Sequence, residues 1–337
     1  MATIVFSEVE EWEQEFLLKI LVGHTVYFAN YPFDSMHQIP PEMFSAEVLS
    51  TFIYSQLTPD FLSRFPNLKY ITTRSTGFDH IDLVYCKQRG ITVSNVPSYG
   101  SHSVAEHAFA LILALAKNLL PSVEQAKKGD FSTNNLTGFE LYGKTLGIIG
   151  TGKIGTTMVQ IAKGFGMQIV AYSHHVDSAL ETLGVKFLEL PELLQTSDIV
   201  SIHVPETEET QHMINKGNIN LFKKGSILIN TARGGIVETE AILQGIEEKI
   251  LVGVGLDVLE EECNIREERE LLTKEFLQTC DLKTQLMNHM LLNRKEVIVT
   301  PHNAFNSKES LLEILQVTED NITSFLSGTP KNVVPAQ

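Results

Sequence analysis

The segment TLGIIGTGKIGTTMVQIAKGFGMQIVAYS, residues 145–173, decides the fold. An apolar run, a glycine turn at Gly150, Gly152 and Gly155, a stretch with apolar residues at helical spacing and a second apolar run together make a nucleotide-binding βαβ unit. Gly150 allows the tight turn, Gly152 lets backbone amides approach a pyrophosphate, and Gly155 lets helix and strand pack closely. Thr151, Lys153 and Ile154 complete the turn, and the helix N-terminus adds partial positive charge. The second run ends in Ser173, followed by His174, where such units usually carry an acidic residue for the adenosine ribose.

The pattern around this unit repeats it. Five short apolar runs precede it (TIVFSE, TVYFAN, STFIYS, YITTRS and TVSNVP), and six run from TLGIIG through QIVAYS, DIVSIHV, SILINTA and VGVGLDV to VIVTPH. Strands alternating with helices predict an α/β protein with parallel sheets covered on both faces. The first set suits a smaller flavodoxin-like open sheet, and the second has the count of a Rossmann doubly wound dinucleotide domain. Residues 101–120 read as a helix apolar on nearly every side, bounded by Pro97 and Pro121 and buried between domains or subunits. Past Pro301, ESLLEILQVTEDNITSFLSG reads as an amphipathic helix with no place on a sheet complete at six strands. It is expected back on the first domain. The expected division is 1–98 with 304–337 as substrate domain and 99–303 as dinucleotide-binding domain, with a hinge at the two crossings.

The 337 residues suffice for two cores, and 43% hydrophobic content fits a globular protein. No apolar run has membrane-spanning length and the N-terminus turns acidic early, so a cytoplasmic location without membrane association is expected. Cys86, Cys263 and Cys280 are isolated and odd in number, which argues against a disulfide framework or a bound metal. A formal net charge of −15 disfavours nucleic acid as a partner but does not forbid an anionic substrate. The acidic runs 8–15 and 260–270 read mostly as solvated helix faces.

Three ionisable residues fall at or just past late strands of the second set: Arg233 after SILINTA, Glu262 after VGVGLDV and His302 after VIVT. Ligands of open α/β sheets bind outside those strand ends, so the three can converge. Arg233 offers a planar fork for a carboxylate, with Gly234 and Gly235 allowing a tight turn beside it. A histidine beside a buried glutamate is biased toward its charged form, as a general acid for carbonyl reduction requires.

GTGKIG, HVP (203–205), NTARGG (230–235), GLDVLEEE (255–262) and TPHNAF (300–305), in this order, resemble the D-isomer-specific 2-hydroxyacid dehydrogenases over nearly the whole chain. RSTGFDHID (74–82) and VPSYGSHSVAEH (96–107) are similar to that family's substrate loop and hinge helix. The resemblance implies reduction of a small 2-keto acid to the D-2-hydroxy acid, with Arg233 clamping the carboxylate, His302 as general acid and base, and Glu262 raising the His302 pKa. It also implies that Ser75, Thr76 and Gly77 offer amides to the substrate. For the nicotinamide cofactor it implies a site that includes His203, Val204, Pro205, Thr231 and Ala232, with Asp257 on the carboxamide. Tyr99 in VPSY and Phe305 in PHNAF are most similar to the D-lactate dehydrogenase branch, where aromatic residues close the pocket on a small side chain, and Tyr54 in FIYSQLT reads as a third wall.

Ser173 in place of an acidic residue admits NADP as well as NAD, with NADPH use rising as the pH falls and the neighbouring histidines charge. Residues 263–293 are longer than the family's usual connection and read as one or two helices over the active site or at a subunit interface. A homodimer is implied. Hydroxypyruvate or glyoxylate reduction, and a nucleotide-sensing role like that of the C-terminal-binding transcriptional corepressors, are the alternatives.

Overall fold

The structure, a computed structural model, describes residues 1–34, 37–261 and 281–335. The chain divides into two compact units, residues 1–100 with 306–337 and residues 101–305.

The first unit is a five-stranded parallel sheet of β1 (Thr3–Phe6), β2 (Thr25–Phe28), β3 (Val48–Thr51), β4 (Tyr70–Thr73) and β5 (Thr92–Ser94), in the order 2-1-3-4-5. Alternate residues supply opposite faces. Val5, Leu49 and Ile71 enter one core cluster, while Ile4, Phe6, Val48 and Tyr70 enter the other. Both clusters are covered, so these strands do not alternate between apolar and solvated positions, and even Ser50, Thr51, Thr72 and Thr73 of β3 and β4 are buried. The helix Lys308–Leu326 closes the second face with Leu315 and Ile322, and Phe325 stacks on Tyr70 at 4.2 Å. Each buried aliphatic there is worth about 2–4 kcal/mol against truncation. Buried Asn321 fixes the helix by donating to the Asn95 carbonyl at 2.9 Å. The C-terminal helix therefore belongs to the first unit, although the run STFIYS is strand only at its start.

The second unit is a seven-stranded parallel sheet of β6 (Thr145–Ile149), β7 (Gln168–Tyr172), β8 (Lys186–Phe187), β9 (Ile199–Ile202), β10 (Ser226–Asn230), β11 (Leu251–Leu256) and β12 (Val297–Val299). Its order is 12-11-10-9-6-7-8. The six expected strands are joined by β8, a two-residue edge too short to carry a periodic signal. Ile149, Leu228 and Val254 feed one core, and Ile148, Ile227 and Ile229 the other.

The helix expected over 101–120 is broken. It runs Ser101–Ala116, and after Asn118 in a left-handed conformation (φ 47°) a second helix spans Leu119–Lys127. Pro121 sits in the first turn of that second helix, where its missing N–H costs nothing, instead of ending the first. Leu111 and Leu115 lie against Gly255 and Gly253 of β11, where an added Cβ would stand 3.0 and 3.3 Å from them. Among the described residues no single helix is long and apolar enough to cross a membrane.

Candidate active site

The glycine turn opens β6 into the helix Lys153–Gly164. Gly150 has φ +96°, and a Cβ on it would lie 2.6 Å from the His203 carbonyl. A Cβ on Gly155 would come within 2.0 Å of the Gly150 carbonyl oxygen. Gly152, the N-cap, has nothing within 4 Å of its Cβ position. Two glycines are thus demanded by packing, and the third faces an open cradle at a helix N-terminus whose first amides have no intrahelical acceptor. That cradle fits a pyrophosphate. His203, Val204 and Pro205 follow β9, and the His203 amide donates to the Ile149 carbonyl at 2.7 Å. The enclosed His203 ring shares a 2.8 Å hydrogen bond with Ser201 Oγ, and burial pushes its pKa down to about 3.

Past β7, Ser173 is half-buried and His174 is exposed. The His174 ring reaches to 3.9 Å from the Glu209 carboxylate, so the segment that would meet the adenosine ribose carries an acidic neighbour from another loop.

Arg233 and His302 line one cavity of about 400 Å³, together with Glu206, Gln211, Gly234, Val258 and Leu259. Segments after four strands, β9 to β12, build it. After β10, buried Asn230 clamps the turn: its Oδ1 accepts from the Ala232 amide and its Nδ2 donates to the Arg233 carbonyl. Thr231 and Ala232 lie inside this clamp. The guanidinium donates to the Ala232 carbonyl at 2.8 Å and makes no ion pair among the described residues. Gly234 is required there, because a Cβ would sit 1.9 Å from the Leu259 carbonyl.

After β12, His302 adopts φ +51°, a left-handed conformation unusual for histidine. Its amide donates to the carbonyls of Asp257 and Thr300, both at 2.9 Å. Asp257, at the end of β11, is buried, and its carboxylate faces this turn: it accepts from Thr300 Oγ1 at 2.5 Å, Asn303 N at 3.0 Å and Ala304 N at 2.8 Å. The carboxylate expected to meet a nicotinamide carboxamide is therefore also the anchor of the turn that presents His302. His107, from the helix Ser101–Ala116, adds a 3.0 Å contact to Thr300 Oγ1.

Of the acidic run, Glu260 accepts from His212 at 2.6 Å and from the amide and hydroxyl of Thr239 at 2.8 and 2.7 Å. Glu261 accepts from the Asp281 amide. Glu262, and residues 263–280 of the longer connection, lie outside the described residues; the connection ends in the helix Leu282–Leu292.

In the first unit, the Ser75 hydroxyl donates to the Gly77 carbonyl and that of Thr76 to the Val96 carbonyl. The amides of Ser75, Thr76 and Gly77 meet no acceptor among the described residues, so three N–H groups remain for an anion. Tyr54 is 50% exposed and Tyr99 half-buried, and Phe305, in the second unit, is half-buried. Sequence reasoning missed Glu206, Gln211 and His212 in the cavity. It also missed Asn230, quoted only as part of NTARGG although its place before a turn was a signal. Glu8, read as part of a solvated acidic face, is instead wrapped in hydrogen-bond donors.

A doubly wound sheet with a phosphate cradle, and an arginine and a histidine on one cavity at its strand ends, define a nucleotide-binding α/β enzyme scaffold. Residues 109–304 match the model of the D-isomer specific 2-hydroxyacid dehydrogenase NAD binding domain. The chain is 34% identical over 261 residues to a D-lactate dehydrogenase of Escherichia coli K12, covering 77% of each. It is 33% identical over 297 residues to a glyoxylate reductase of Thermococcus litoralis, covering 86% of this chain and 83% of that one. The D-lactate dehydrogenase of Aquifex aeolicus, solved with NAD and lactic acid, superimposes with TM-score 0.81 at 38% identity, over 97% of this chain and 96% of that one. The chain belongs to the D-isomer-specific 2-hydroxyacid dehydrogenase family, on the side of its D-lactate dehydrogenase branch.

Proposed function

We propose that the protein reduces a small 2-keto acid, pyruvate foremost, to its D-2-hydroxy acid. The observation that carries this reading is the shared cavity: Arg233, without an ion pair among the described residues, opens onto the same space as His302. A nicotinamide dinucleotide would be held by the turn at Gly150, Gly152 and Gly155 with Thr151, Lys153 and Ile154, by Ser173 and His174, by His203, Val204 and Pro205, and by Thr231, Ala232 and Asp257. When bound, it supplies the hydride.

Arg233 takes the substrate carboxylate in its fork and polarises the neighbouring carbonyl. His302 gives its proton to the keto oxygen as negative charge grows there, and accepts the hydroxyl proton in the reverse direction. Asp257 keeps the His302 turn in place. The amides of Ser75, Thr76 and Gly77 offer further donors to a carboxylate, and Tyr54, Tyr99 and Phe305 are apolar walls suited to a short side chain. Glu262 is the general-acid partner of His302, a role that Glu260 and Glu261, tied to other groups, do not compete for. Its substitution by Gln moves the high-pH limb of the reduction profile to lower pH. An unmoved limb removes it from the mechanism.

The half-buried Ser173 places no charge against a 2′-phosphate, so NADP is accepted as well as NAD, and the protein acts as a cytoplasmic homodimer. The likeness to a glyoxylate reductase supports glyoxylate as the alternative substrate, with hydroxypyruvate as a further one to test. The test is kcat/KM for pyruvate, hydroxypyruvate and glyoxylate with NADH and with NADPH at two pH values. Turnover well below about one per second on every acid favours a nucleotide-sensing role over catalysis. An NADH preference of about a thousandfold at both pH values, equivalent to ~4 kcal/mol, removes the dual-cofactor reading.

A further inference from the structure

Glu8 lies just past β1 with φ +56°, a left-handed conformation that costs a non-glycine residue about 1 kcal/mol or more. The turn aims its carboxylate at the segment after β3. Oε1 accepts from the Tyr54 amide at 2.8 Å, while Oε2 accepts from the Phe52 amide at 3.1 Å and from Ser55 Oγ at 2.5 Å. Thr51 Oγ1 at 3.2 Å and Ser7 Oγ at 3.3 Å complete the set. Arg74, only 2% exposed, donates to the carbonyls of Ser7 at 2.8 Å and Glu8 at 2.7 Å and to Ser50 Oγ at 3.2 Å. The residues that follow Arg74 are 75–77, whose amides lack acceptors among the described residues. Glu8 and Arg74 thus lock together the ends of β1, β3 and β4, and with them both loops that carry the first unit's proposed substrate contacts.

We infer that Glu8 is a positioning residue for the keto acid: its two carboxylate oxygens set the 52–55 loop and so the Tyr54 wall, through a network shared with Arg74. The inference rests on the functional reading above. Its chemical core is that the Tyr54 and Phe52 amides fall on different oxygens. A glutamine keeps the shape but must turn its NH₂ toward one of these N–H groups, so it can satisfy only one.

The experiment compares wild type, Glu8→Gln, Tyr54→Ala and the double variant, reading KM and kcat for pyruvate, the Kd of NADH, and hydrogen exchange at the Phe52 and Tyr54 amides. Glu8→Gln is expected to raise KM about tenfold with kcat changed less than about threefold, to leave NADH affinity within about twofold, and to speed exchange at whichever of the two amides faces the new NH₂. Tyr54→Ala in the Glu8→Gln background should add less than about threefold, because the wall is already displaced. If Glu8→Gln does not fold, Ser55→Ala removes one donor and should raise KM about threefold. An unchanged KM in the folded variant, independent multiplication of the two effects, or an equal loss in NADH affinity overturns the inference while leaving the enzyme reading intact. No keto-acid turnover in the wild type overturns both.

Discussion

Gly155 and Gly152 sit three residues apart in one motif, yet the structure assigns them opposite sensitivities. A Cβ on Gly155 would stand 2.0 Å from the Gly150 carbonyl oxygen and 3.4 Å from Ile148 Cγ2, against backbone and a fully buried core side chain. Relief needs the helix Lys153–Gly164 to move by about an ångström off β6, an overpacking penalty of about 3 kcal/mol. Replacing a helical glycine returns about 1 kcal/mol. Gly155→Ala should therefore lose about 2 kcal/mol net, or about 4–8 °C in Tm for a unit of roughly two hundred residues. Gly152 has φ −65° and ψ −165°, accessible to alanine, and open space at its Cβ. Gly152→Ala should leave Tm within about 1 °C. Its methyl would occupy the cradle, however, and losing about 2 kcal/mol of phosphate hydrogen bonding weakens NADH about 30-fold. Thermal melts and NADH fluorescence titrations of both variants are the assay. Equal destabilisation of the two, or undiminished NADH binding by folded Gly152→Ala, would mean that packing and phosphate binding are not divided between these glycines.

Arg233→Ala should lower kcat/KM for pyruvate by about a thousandfold while NADH affinity holds, since a charged clamp is lost from substrate alone; steady-state kinetics beside an NADH titration decide it. Asp257→Asn turns an NH₂ toward the Asn303 or Ala304 amide and should displace His302, costing about 10–100-fold in kcat and, through the buried donor left unsatisfied, about 1–3 kcal/mol of stability; an undiminished kcat would show that the turn does not depend on the carboxylate. His203 gives a pH prediction. Its folded pKa, pushed down to about 3 by burial, lies below the value near 6.5 expected unfolded, so the unfolded chain takes up a proton that the folded one refuses. That contribution is complete above pH ~6.5 and is lost as the pH falls toward 3, reaching about 2 kcal/mol by pH 5. Denaturation midpoints of wild type and His203→Asn at pH 7 and 5 should converge on acidification, the surface carboxylates titrating alike in both. Parallel midpoints would mean that the ring is not held neutral.

The sheets were legible because both of their faces are buried, so strands such as Thr145–Ile149 and Leu251–Leu256 read as largely apolar runs rather than alternating ones. β8 was not: two residues at an edge, one of them exposed Lys186, leave no period to read. The break after Ala116 was hidden because Pro121 stops a helix in the interior but is welcome in a first turn, and only Asn118 marks the kink. Arg233 and His302 could be found from their place after strand ends. Glu8 could not, since nothing in an acidic run tells a solvated carboxylate from one that turns inward through a left-handed backbone. The cavity's Gln211 and His212 come from a loop without periodicity, and only the folded chain brings them beside Arg233.

The claim that this fold carries hydride chemistry on a 2-keto acid is tested most directly by incubating the purified protein with NADH and pyruvate and following the loss of reduced cofactor together with the handedness of the product. D-lactate should form mole for mole with NADH consumed, at a rate that collapses in Arg233→Ala, and without L-lactate. L-lactate as product, or NADH bound but never consumed with any small 2-keto acid, would contradict that claim.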